Sequence, residues 1–81
     1  MSIAVVTSLG QRTLARLAEL EAKYPDAGGF HAIWLGAGMA AAARRMDAAG
    51  TGLIKIDRQA GNCFRYSLTD AGRARAKGGD A

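Results

Sequence analysis

The stretch LIKIDRQAGNCFRYSLT, Leu53 to Thr69, decides how this chain folds. Two runs of alternating apolar and polar residues, LIKID and CFRYSL, flank RQAGN, a turn containing Gly and Asn. Successive side chains of an extended chain point to opposite faces, and Gly and Asn tolerate the backbone angles that reverse a strand. The stretch therefore reads as a β-hairpin. Ile54, Ile56, Phe64, Tyr66 and Leu68 fall on one face; Lys55, Asp57, Cys63, Arg65 and Ser67 fall on the other. Thr69 follows as a natural N-cap for a short last helix, DAGRARAK, because its hydroxyl can accept a free N–H of the first turn. GGDA, residues 78–81, reads as a disordered tail.

Upstream of the hairpin the period changes from two to between three and four. Leu14, Leu17, Leu20 and Tyr24 recur with Arg12, Arg16, Glu19 and Lys23 between them, which predicts an amphipathic helix. Ser8 and Gln11 have capping-box spacing at its start, and Pro25 with the PDAGG loop stops it. The preceding IAVV, within residues 1–7, reads as an arm or a short strand. FHAIWLG fits either a strand or a helix with Phe30, Ile33 and Trp34 on one face, and Gly36 and Gly38 bracket a turn. Met39 to Ala49 is helical by propensity, since Ala is the best helix former, with Ala42, Met46 and Ala49 as its inner stripe and Gly50 as its end. The predicted order is helix, helix, helix, hairpin, helix, in one α+β domain spanning residues 1–81.

Size and composition narrow the function classes. A chain of 81 residues supports a single core, and only five of its residues are aromatic. It has no apolar run long enough to span a bilayer, no basic leader before an apolar stretch, and a single cysteine, which leads us to expect a cytoplasmic protein with no membrane association. The net charge of +4 is uneven: residues 53–77 hold six basic and two acidic side chains, and the remainder is balanced at five of each. A localised basic surface is the electrostatic footprint expected for a polyanion.

The element order and three phrases resemble the winged helix-turn-helix domains of bacterial MarR-like and PadR-like transcriptional regulators. The phrases are LGQRTLARLAELE, ARRMDAAGTGLI and FRYSLTDAGRARA, the last containing Tyr66, Leu68, Thr69 and Gly72 of a Tyr-x-Leu-Thr-x-x-Gly pattern. The resemblance covers Ser8 to Lys77 and implies a three-helix, two-stranded-wing fold and a small regulator that binds double-stranded DNA. It departs from the family at Gly50-Thr51-Gly52, which inserts residues before the first wing strand, and in lacking the long terminal helices through which such regulators dimerise. A homodimer would then use the IAVV arm or the surface around Trp34.

On this resemblance the helix from Gly38 to Ala49 enters the major groove, where Met39, Ala40, Ala41, Ala43, Arg44 and Asp47 are its candidate readers. Alanine can touch a thymine methyl but offers no donor or acceptor, so Arg44 or Arg45 reads guanine or holds phosphate. Lys55, Arg58, Arg65 and Arg73 suit contacts to the DNA backbone, and Gln59 and Asn62 at the wing tip suit the minor groove.

Two other classes compete. A protein-binding module, such as an anti-CRISPR-like inhibitor carried by a phage or mobile element, could use the slim alanine helix for close packing and Trp34 as an anchor. FHAIWLGAGMAA, with Gly36, Gly38 and Ala41 and with Asp57 downstream, imitates a dinucleotide-binding fingerprint, but the chain is too short for the parallel sheet that such a site needs. Chemistry is sparse elsewhere. One His and one Cys build no metal cage, the acids are scattered, and no cofactor, metal site or enzymatic activity is expected.

Overall fold

The computed structural model describes residues 7–58 and 64–78. Three leucines at helical spacing organise it. In helix α1 (Ser8–Lys23) Leu14, Leu17 and Leu20 point to one side and are buried, each contributing about 2 kcal/mol of apolar burial. The helix starts one residue earlier than the capping-box pattern suggests. Thr7 is the N-cap, its Oγ1 accepting from the Gly10 N–H at 3.0 Å, and Ser8 is the first helical residue. Gln11 is turned elsewhere, donating to the carbonyl of Arg75. Tyr24 does not extend the apolar stripe: it lies past the helix end and is 46% exposed.

FHAIWLG divides its two possibilities. Phe30 exchanges backbone hydrogen bonds with Tyr66 (2.9 and 2.8 Å), an isolated antiparallel bridge, and Ala32–Leu35 then forms the single-turn helix α2. The expected helical face is wrong. Leu35 and Phe30 are buried, whereas Ile33 is 86% and Trp34 43% exposed. Helix α3 (Ala37–Ala48) follows after one residue, Gly36, whose N–H closes α2 onto Ala32 and whose carbonyl accepts from Ala40 to open α3. Its φ of 90° is a conformation that side chains other than glycine resist.

The strands β1 (Ile54–Arg58) and β2 (Phe64–Leu68) pair antiparallel, with Ile54 opposite Leu68, Ile56 opposite Tyr66 and Arg58 opposite Phe64. The hairpin and both of its faces are as the alternation requires: Ile54, Tyr66 and Leu68 are buried, with Ile56 and Phe64 packed against the same core. That core joins the α1 leucines, Phe30, Leu35, Ala40, Ala43, Met46 and Leu53. The molecule is thus α+β, with four helices and a two-stranded antiparallel sheet among the described residues, in the expected order. Cys63, the IAVV arm and residues 79–81 lie outside the described residues; Gly78, expected in the tail, is the last residue of α4.

Two features explain how the hairpin is held. Gly50 and Gly52 both have positive φ (74° and 71°), and Thr51 between them donates its hydroxyl to the carbonyl of Met46 at 3.0 Å. The inserted Gly-Thr-Gly therefore caps α3 and aims the chain into β1. Thr69 does the same for α4 (Asp70–Gly78): its Oγ1 accepts from the Gly72 N–H at 3.0 Å and donates to the Gly52 carbonyl at 2.6 Å. Thr69→Ala removes both bonds and should cost about 1–2 kcal/mol, measured as a lower midpoint in urea at unchanged slope.

Candidate nucleic-acid interface

Helix α3 presents a narrow outward face. At 3.6 residues per turn Ala37, Gly38, Ala41, Arg44, Arg45 and Ala48 fall on one side. All are exposed except Ala41, which is half-buried. The opposite side packs inward through Ala40, Ala42, Ala43 and Met46. This corrects the expected set of readers. Ala40 is 2% and Ala43 0% exposed, so neither can reach a ligand, and Met39 is half-buried against the core. Asp47 is half-buried at the edge of the face, and Ala49 is an exposed C-cap rather than part of the inner stripe. The outward face is a row of methyl groups with Arg44 on one flank and Arg45 on the other.

Arg44 does two things. Its Nη1 donates to the hydroxyl of Tyr66 at 3.0 Å, and Tyr66 is only 1% exposed. This bond satisfies a phenol that the core would otherwise strand and pins α3 to β2. The rest of the guanidinium remains at the surface in the seam between helix and hairpin.

The hairpin cations separate into two groups. Arg58 lies opposite Phe64, on the face that packs toward the core, and its guanidinium stacks 5.3 Å from the centre of the Phe64 ring. This cation–π contact holds the Arg58 side chain beside the ring. Lys55 and Arg65 occupy the other face, opposite Ser67 and Asp57 respectively. Arg58 therefore shares a side with Arg44, whereas Lys55 and Arg65 face away. Alternation already implied this division, but the expectation grouped all three as one phosphate-binding set.

Arg73 belongs to neither group. It bonds Glu21 of α1 at 2.9 Å and Asp70 of its own helix at 2.8 Å, and both carboxylates, Glu21 foremost, raise its already high pKa. Its visible role is to fasten α4 to α1, and phosphate would have to compete with two anions for it. Gln59 and Asn62 lie outside the described residues.

The phrase that imitates a nucleotide-binding loop does not have the required surroundings. The residues before Gly36 are helical rather than a strand, and Asp57 sits in an antiparallel hairpin. Among the described residues no group of His, Cys, Asp and Glu could hold a metal ion, and no helix is long and apolar enough to cross a membrane. His31 is half-buried at the N-cap of α2, where its carbonyl accepts from Trp34. No protein-family model, no curated protein and no solved structure matches the chain.

Proposed function

We propose that the chain is a winged helix-turn-helix domain that binds duplex DNA as a small transcriptional regulator, with α3 in the major groove and the hairpin as its wing. The observation that carries this reading is the joint surface of α3 and the hairpin. A helix whose outward side chains are methyl groups can approach base edges closely; Arg44 and Arg45 lie on its flanks, and Arg58 is on the core-facing side of the hairpin that Arg44 touches through Tyr66. Such a surface obtains its affinity from phosphate contacts and only modest discrimination from base edges, since a methyl group reads thymine and little else. The phrase ending in Gly72 points the same way.

Ala41 is the most central position of the outward face. Ala41→Glu would set a carboxylate between two phosphate ridges, and binding to a mixed-sequence duplex should weaken about tenfold or more, a loss of roughly 1.4 kcal/mol. The helix should survive, since Glu is a good helix former. A gel-shift titration paired with a melting curve reads both quantities. Unchanged affinity in a folded variant would remove α3 from the interface.

The same methyl-lined face supports a second reading, a module that packs against a helix of another protein. In that case Ala41→Glu would abolish the protein complex, and the wild type would bind no duplex at low salt.

A further inference from the structure

Arg44 is held in a different way from Arg16 and Arg73. Arg16 pairs with Glu19, and Arg73 with Glu21 and Asp70, so carboxylates offset both of those charges. Arg44 donates through Nη1 to a neutral group, the Tyr66 hydroxyl at 3.0 Å, and that bond offsets none of the charge on its exposed side chain. The phenol is itself fixed. Tyr66 is buried, its backbone N–H and C=O both bond to Phe30, and it stands opposite Ile56 in the sheet. A guanidinium tied to it has a set place, in the seam where α3 meets β2.

That seam has a definite counterpart on duplex DNA. With α3 in the major groove and the hairpin over the adjacent minor groove, the sugar-phosphate strand that divides the two grooves crosses between helix and hairpin. We infer that Tyr66 is a positioning residue, whose buried phenol holds Arg44 over that strand and makes Arg44 a phosphate clamp rather than a reader of guanine. The inference rests on the DNA reading and deepens it. An untethered arginine gives up rotamer freedom when it grips a phosphate. The bond to Tyr66 restricts Arg44 before DNA arrives, an advantage of about two- to tenfold in affinity. The bond occupies Nη1 alone, which leaves the edge formed by Nε and Nη2 for two parallel bonds to phosphate oxygens. Such a contact sets the register of the protein on the duplex and carries no sequence information.

Tyr66→Phe isolates this role. Arg44 is exposed, so its released N–H takes water and the substitution strands no buried group. Binding to a mixed-sequence duplex, titrated by fluorescence anisotropy well below the melting temperature, should weaken about two- to tenfold. Under those conditions the protein is folded, and a bond that served stability alone would leave affinity unchanged. The loss should be the same on duplexes made only of A·T pairs and only of G·C pairs. In Arg44→Ala protein the added Tyr66→Phe change should leave affinity where it was, because no guanidinium is left to position. A folded Tyr66→Phe protein that binds as tightly as the wild type overturns the inference and leaves the DNA reading standing. So does an equal loss with and without Arg44, or a loss confined to duplexes that contain guanine. A wild type that binds no duplex at low salt removes both.

Discussion

Gly72→Ala should destabilise the protein by about 2–3 kcal/mol, although it replaces glycine inside a helix. The propensity term favours Ala by about 1 kcal/mol, and Gly72 has no positive φ that would make the substitution strained. Space decides the sign. A Cβ at Gly72 would run into the backbone carbonyl of Leu53 and crowd Leu68 Cδ2 at 3.2 Å. Neither can yield cheaply. The Leu53 carbonyl is the acceptor for the Thr69 N–H at 3.1 Å, and Leu68 is buried. Overpacking against backbone costs about 1–3 kcal/mol or more, and here it must also push α4 off the hairpin. For a domain of this size the net loss lowers the melting temperature by roughly 10–20 °C. Gly38 supplies the control. It is also helical without positive φ, but nothing lies within 4 Å of its missing Cβ. Gly38→Ala should raise stability by about 0.5–1 kcal/mol. Two glycine-to-alanine changes with opposite signs, read by thermal melts, test whether the glycine of the Leu-Thr-x-x-Gly phrase is there for close approach.

Arg45→Ala combined with Arg58→Ala should weaken duplex binding far more than Lys55→Ala combined with Arg65→Ala, although each pair removes the same formal charge. The first pair belongs to the α3 side of the molecule, where Arg58 is stacked on Phe64; the second lies on the far face of the hairpin. Each lost phosphate contact lowers the dependence of log K on log salt by about 0.9. The first double variant should therefore lose about 1.8 from the slope and about 10- to 100-fold in affinity at moderate salt. The second should leave the slope nearly unchanged, because distant charges are largely screened beyond about 10 Å at 0.1 M salt. Equal losses for the two pairs would mean that general positive charge, rather than this surface, draws the DNA. Arg44 is left out of the first pair because its removal also strands the Tyr66 hydroxyl, mixing stability with binding.

What could be read from the residues followed how locally each feature is encoded. The hairpin, its two faces and the Thr69 cap depend on neighbours a few positions apart, and alternation of Ile, Tyr and Leu with charged residues leaves no ambiguity about which side is buried. The leucines of α1 carry the same contrast. Helix α3 does not. Four consecutive alanines, Ala40 to Ala43, give the helix no polar side and no apolar side, so its orientation is set by partners that sit far along the chain. The expected readers therefore include Ala40 and Ala43, which are buried, and omit Ala37 and Ala48, which are exposed. The inner flank is marked only by Met46 and by the Arg44–Tyr66 bond, which joins residues 22 positions apart. Long-range pairing hid two further features. The bridge between Phe30 and Tyr66 turned half of an ambiguous segment toward the sheet, and the Arg73–Glu21 pair spans 52 positions and withdraws an arginine from the expected DNA-contacting set. For Gly72 the pattern was visible, but its cause lies in the position of the Leu53 carbonyl.

The most direct test of the account is the affinity of the unaltered chain for a mixed-sequence duplex, measured by fluorescence anisotropy across about 50 to 200 mM salt. Contacts from Arg44, Arg45 and Arg58 predict a linear fall of log K with log salt at a slope of about −2.7 for one chain on DNA. A chain that binds no duplex at the lowest salt, or binds with an affinity that salt does not change, would contradict the proposed interface.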